Sequence, residues 1–177
     1  ILAIIKANKL DQLTLTCLPA ILHNTPKDIP QAVEKVIEKH QDAYDHILVA
    51  YGDCGTGGLL QATCDRHGAT LIDAPHCYAF FDGAQQFEQR GEVTSFFLTD
   101  FLARQFDAFV WQPLGLDRYP DLRDMYFGNY EALVYLAQTD DAALLAKAQD
   151  CADRLKLRFE HRHTGYGDLT EFLKREA

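Results

Sequence analysis

The sequence predicts an α/β protein: a three-layer fold with a mainly parallel sheet, helices on both faces, and two lobes. Three observations carry that expectation. Short β-branched runs alternate with helical segments almost throughout the chain. The runs end in Gly- or Pro-containing turns that lead straight into helices. At 177 residues, with 47% hydrophobic and 24% charged residues, the chain is long enough for a full apolar core.

The elements follow in order. Ile1–Lys9 reads as the body of a helix without its start, so a preceding segment, a first strand, is expected. Leu13-Thr-Leu-Thr-Cys-Leu18 alternates and reads as a strand ended by Pro19. Pro30 to Tyr44 is an amphipathic helix with Val33, Val36 and Ile37 on one face. Ile47 to Ala50 is a short buried strand. Leu59 to His67 is a helix closed by Gly68. Ala69 to Ala74 is a strand ending at Pro75-His-Cys-Tyr78. Ala84 to Arg90 is a helix, Thr94 to Leu98 a strand, and Thr99-Asp100 caps a helix from Phe101 to Phe109. From Trp111 the texture changes to the turn-rich Pro113–Pro120, followed by one or two helical turns at Leu122–Phe127. Ala132 to Ala137 is a buried strand, and Thr139-Asp-Asp141 caps a long helix to Leu155. Leu157 to Glu160 is a strand, and Leu169 to Arg175 a last helix. The expected halves are 1–110 and 111–177, packed as one compact domain.

Composition excludes several functions. The net charge of −9 argues against sequence-independent nucleic-acid binding. No apolar stretch approaches the ~20 residues of a membrane span. Five cysteines, an odd number without a Cys-x-x-Cys pair, point away from a disulfide scaffold and toward a reducing, cytoplasmic setting. Walker-type, Gly-x-Gly-x-x-Gly and Gly-x-Ser-x-Gly motifs are absent.

The chemistry gathers at strand ends. In a parallel sheet the carboxyl ends of all strands share one edge, where ligands bind. Cys17, Cys54 and Cys77 each follow a different expected strand, with His23 and His76 close in sequence. Three thiols and one or two imidazoles suit zinc or an iron–sulfur cluster. The Gly52–Gly58 turn, with Gly55, Thr56 and Gly57 inside it, opens a helix whose free amides favour a thiolate or a bound anion. A second reading therefore makes Cys54 the nucleophile of a small-molecule enzyme, with His76 or His23 as its base. Gly165-Tyr-Gly167 has the texture of an anion-holding turn, and its other reading is a cap and turn. A third reading is a partner-binding protein whose cysteines are incidental. Cys64 and Cys151 fall on helices, and Cys151, on the apolar face of its helix, reads as core filling.

Seven stretches together carry a resemblance. They are Cys17-Leu-Pro-Ala-Ile-Leu-His-Asn24, Tyr51-Gly-Asp-Cys-Gly-Thr-Gly-Gly58, Pro75-His-Cys-Tyr78, Phe97-Leu-Thr-Asp-Phe-Leu102, Leu114-Gly-Leu-Asp117, Tyr126-Phe-Gly-Asn-Tyr130 and Thr164-Gly-Tyr-Gly167. Over essentially the whole chain the sequence resembles an uncharacterised family of bacterial and archaeal proteins, a domain of unknown function. Relatives are often encoded beside corrinoid-dependent methyltransferases. The resemblance implies a metal- or cofactor-binding accessory role in one-carbon methyl transfer, with a corrinoid methyltransferase system as partner. It marks Cys17, Cys54 and Cys77 as motif positions.

Overall fold

The computed structural model describes residues 1–177 as a mixed α/β chain with parallel sheets flanked by helices, consistent with the expected three-layer class. It divides into two compact units, Ile1–Ala84 with Tyr166–Ala177, and Gln85–Gly165. No helix is long and apolar enough to cross a membrane.

The first unit holds α1 (Leu2–Asn8), α2 (Ile29–His40), β1 (Leu48–Val49), α3 (Leu59–His67), β2 (Thr70–Leu71), α4 (Cys77–Asp82) and α9 (Asp168–Glu176). Strands β1 and β2 pair in parallel, Leu48 opposite Thr70 and Val49 opposite Leu71. Helix α2 buries Ile29, Val33 and Ile37, one face at helical spacing. These pack with Val49, Leu60, Cys64 and Ala69 in one apolar cluster. Helix α2 stops at His40, one turn before the expected Tyr44.

The Leu13–Leu18 run is not a strand. Its alternation is real, with Leu13 and Leu15 half-buried and Thr14 and Thr16 exposed. Yet no backbone hydrogen bond engages Thr14 to Leu18, so nothing makes it part of a sheet. Pro19 leads instead into a 3-10 turn, Ala20–Asn24.

The second unit contains α5's remainder after Ala84 (α5 spans Ala84–Arg90), β3 (Ser95–Thr99), α6 (Asp100–Arg104), α7 (Leu122–Phe127), β4 (Ala132–Ala137), α8 (Ala142–Leu155) and β5 (Arg158–His163). Its parallel sheet has the order β3-β4-β5. Every residue of β4 is buried, as expected of a central strand read from a continuous apolar run. Asp141 caps α8 by accepting from the Ala143 and Leu144 amides. Leu144, Ala148, Cys151 and Leu155 of α8 complete a core with Leu98, Phe106, Leu133 and Tyr135. The expected helix to Phe109 ends early: α6 stops at Arg104, and a π-helical turn follows at Asp107–Trp111. There Arg154 lies over the Trp111 ring at 4.2 Å and pairs with Asp107 at 2.6 Å. Strand β5 runs on to His163, so His161 and His163 belong to it. His161 stacks on Tyr135, and His163 lies 3.5 Å from Asp140.

Candidate thiol site at the ends of β1 and β2

The loop after β1 and the loop after β2 run side by side. The Asp53 amide donates to the Ala74 carbonyl at 3.0 Å, and the Cys54 amide to the Pro75 carbonyl at 2.9 Å. Gly52 permits this approach, since a Cβ there would stand 2.7 Å from the His76 Cα. These two backbone bonds bring Cys54 beside Cys77. The Cys77 backbone amide favours the Cys54 thiolate, the charge of Cys54 acts on Cys77, and both thiols act on Tyr51.

Burial is the leading influence on both thiols. It raises the pKa of Cys54, with the neighbouring Asp53 carboxylate adding to the rise. It pushes Cys77 up to about 12, reinforced by Cys54. Tyr51 is raised likewise, first by burial and then by Cys54 and Cys77. Cys54 also holds φ 48°, a left-handed conformation. The other two non-glycine residues with positive φ, Lys9 and Lys156, simply cap helices. Strain of this kind collects at functional positions.

The amides of the Gly-rich turn are taken by the chain itself. Asp53 accepts from the Gly57 amide at 3.1 Å, the Gly58 amide at 2.8 Å and the Thr56 hydroxyl. These bonds, that of Thr56 foremost, lower the Asp53 pKa. The expected gift of helix α3 to Cys54, a depressed thiol pKa, therefore goes to Asp53. The signal for this was an Asp three residues before Thr56 and ahead of the helix, a capping pattern.

The two histidines differ in what they leave open. His76 caps α4, its Nδ1 accepting from the Ala79 amide at 3.3 Å. Burial lowers its pKa, and Nδ1 is engaged at the α4 cap. His23 is arranged the other way. Its Nδ1 faces the Ala20 carbonyl at 3.0 Å, which can only accept, and the Tyr51 hydroxyl at 3.1 Å. Its ring stacks on Tyr51 at 5.1 Å. Nε2 of His23 thus keeps its lone pair, but His23 does not stand in one donor cluster with Cys54 and Cys77.

Cys17 does not join Cys54 and Cys77. It is exposed in the unpaired Leu13–Leu18 run, and no three thiols come together as a compact ligand set. The group of three donors that does lie within 4.8 Å is Glu34, Glu38 and His67 on the α2–α3 surface. There Glu34 is already held by Arg66 at 2.6 Å and by His67 at 3.1 Å. Cys64 and Cys151 are buried in the apolar clusters of their units.

The Gly165–Gly167 turn serves packing. Gly167, at φ 47°, lies against the carbonyls of Phe80 and Phe81 at the end of α4, where a Cβ would collide with both. Asp168 then accepts from the Ala84 amide at 2.7 Å. Gly165 has no such neighbour.

Comparison with known proteins gives one family. The profile described as "Protein of unknown function (DUF1638)" matches residues 17–173. No curated protein and no solved structure matches the chain.

Proposed function

The chain belongs to the DUF1638 family of proteins of unknown function, and we propose that it is a cytoplasmic accessory protein holding a thiophilic metal ion through Cys54 and Cys77. The observation that carries this reading is that the backbone bonds from Asp53 to Ala74 and from Cys54 to Pro75 set the loops after β1 and β2, with Cys54 and Cys77, side by side. Burial keeps both thiols protonated, so each is a poor nucleophile on its own. A cation changes that balance. It displaces the protons and supplies the positive charge that two desolvated thiolates need.

The two sulfurs are half of a zinc-type donor set and leave two positions open, since no imidazole joins them in one donor group within 4.8 Å. An iron–sulfur cluster needs about four thiolates, more than this pair supplies. An open coordination position suits a role in activating or handing on a methyl-carrying thiol or corrin in one-carbon metabolism, the role that the family resemblance implies. The partners of this reading are that metal and a corrinoid methyltransferase system, with neither nucleic acid nor membrane.

One observation favours a second reading, in which Cys54 is the nucleophile of a small-molecule enzyme: its left-handed backbone, φ 48°. Elemental analysis and a UV–visible spectrum of anaerobically purified protein decide between the two. Near-stoichiometric zinc, lost in Cys54→Ser and in Cys77→Ser, is the expected result. Metal-free protein in which Cys54 alkylates faster than the exposed Cys17 overturns the metal reading in favour of the nucleophile.

A further inference from the structure

The cysteines divide by place. Cys64 and Cys151 are buried in the apolar clusters of separate units, and Cys17 stands exposed in the Leu13–Leu18 run. Cys54 and Cys77 lie on neighbouring loop ends, and neither is fully buried. The backbone sets the spacing between them. The Asp53 amide donates to the Ala74 carbonyl at 3.0 Å, and the Cys54 amide to the Pro75 carbonyl at 2.9 Å. Chains joined by such bonds stand about 5 Å apart. A disulfide needs Cα atoms roughly 4.4–6.8 Å apart, so cysteines on chains joined in this way fall within its reach. Where Gly52 meets His76, backbone packs directly on backbone, and no side chain separates the loops.

We infer that Cys54 and Cys77 are a reversible dithiol–disulfide switch, oxidised by a small-molecule disulfide. The exchange runs in two steps. The first thiol, as its thiolate, attacks one sulfur of the small disulfide. A mixed disulfide forms, and the other small sulfur leaves as a thiolate that takes up the proton the protein gave up. The second protein thiolate then attacks the protein sulfur of that mixed disulfide. The Cys54–Cys77 bond forms, and the remaining small thiolate leaves and is protonated in turn. Two electrons pass from the protein pair to the small disulfide, which ends as two thiols. The inference rests on the thiol pairing of the metal reading and adds its regulation. Sulfurs joined to each other no longer carry the thiolate charge that holds a cation, so linkage releases the metal.

The test uses the 177-residue protein carrying Cys17→Ser, freed of metal by a chelator, in buffers of reduced and oxidised glutathione. Intact mass and peptide mapping after an acid quench read the linkage. The expected product joins Cys54 to Cys77, with a mass loss of two hydrogens and with Cys64 and Cys151 still free. In the folded protein this bond persists in a buffer at least about tenfold more reducing than the same chain tolerates in urea, because the fold holds the thiols together. Cys54→Ser and Cys77→Ser each stop at a mixed disulfide with glutathione, and dithiothreitol reverses every product. The inference is overturned if the folded protein forms no Cys54–Cys77 bond, if it stops at the mixed disulfide with both thiols present, or if urea leaves the bond equally or more favoured. Metal content, measured on a metal-loaded sample before and after oxidation, separates this inference from the metal reading. Metal that binds while no bond forms overturns the switch and leaves the metal reading standing. A bond that forms in protein that never holds metal overturns the metal reading and leaves the disulfide standing.

Discussion

Gly52 and His76 stand so close across two loops that a Cβ at position 52 would lie 2.7 Å from the His76 Cα. The contact is backbone against backbone, so no flexible side chain can give way. Gly52→Ala forces the loop after β1 away from the loop after β2. It breaks the bonds from Asp53 to Ala74 and from Cys54 to Pro75. The expected cost is about 1–3 kcal/mol of stability, the usual range for overpacking. Urea unfolding measures it. The same variant separates Cys54 from Cys77, so bound zinc falls as it does in Cys77→Ser. A Gly52→Ala protein with unchanged stability and unchanged metal content contradicts the two-loop geometry.

The cysteines divide by burial, and alkylation reads the division. Burial pushes Cys64 up to about 11 and Cys151 up to about 12. Cys17 is exposed. Iodoacetamide at about pH 8 is expected to label Cys17 first and to leave Cys64 and Cys151 unmodified until the chain unfolds. Peptide mass mapping over time checks this order. The same shifts act on stability. In the unfolded chain these thiols ionise near about 8.5, whereas the folded protein holds their protons to higher pH. Their contribution is therefore fully present below the unfolded value and is lost as pH rises through the folded values. The urea midpoint is expected to fall between about pH 8.5 and pH 11, and to fall less steeply in Cys151→Ala.

Some of this was legible in the residues and some was not, for physical reasons. Strand β4 and helix α8 follow from an unbroken apolar run and from Asp141 ahead of an apolar stripe, both local signals. The meeting of Cys54 and Cys77 follows from strand ends sharing one edge of a parallel sheet. Cys17 escaped that argument because its run carries the alternation of a strand but has no ladder partner. A strand is defined by its pairing, and pairing is not a local property. The roles of Tyr51 and Asp53 are not local properties of the sequence either. Tyr51 matters through His23, which lies 28 positions away. Asp53 matters because it takes the amides that the glycines expose, and attention to the glycines hid their occupant.

Gly165 and Gly167 look alike in sequence and are expected to behave differently. Both hold positive φ, 59° and 47°. An alanine at 165 meets nothing within 4 Å, so its penalty is that of a left-handed residue, about 1–2 kcal/mol. An alanine at 167 adds a collision with the Phe80 and Phe81 carbonyls. Gly167→Ala is therefore expected to lower stability by several kcal/mol, in the tail of point substitutions. Thermal unfolding of the two variants side by side measures the difference. Equal losses would return Gly167 to the role of an ordinary turn residue and reopen the anion-holding reading of the loop.

Asp100 carries the last test, at the carboxyl end of β3. It is 5% exposed, and its carboxylate accepts from the Tyr135 hydroxyl at 2.8 Å, the Gln138 amide at 3.0 Å and the Thr139 hydroxyl at 2.6 Å. Its own amide donates to Gln138 Oε1 at 2.8 Å. A buried carboxylate is costly unless it is fully hydrogen-bonded, and here three donors meet it. The donors all lie on β4 or just beyond it, so Asp100 ties the end of β3 to the end of β4. Asp100 also raises the Tyr135 pKa, second to burial, so the phenol stays protonated as a donor. Tyr135→Phe removes one charge-assisted bond and keeps the ring, and its expected cost is about 1.5–3 kcal/mol. Thr139→Val removes another donor from the same carboxylate. The two changes share one acceptor, so their effects are expected to be non-additive by about 0.5 kcal/mol or more in a double-mutant cycle. Urea unfolding of the two single variants and the double variant measures both quantities. Simple additivity with small losses would mean that solvent replaces each donor, and Asp100 would then be an exposed cap rather than a clamp between strands.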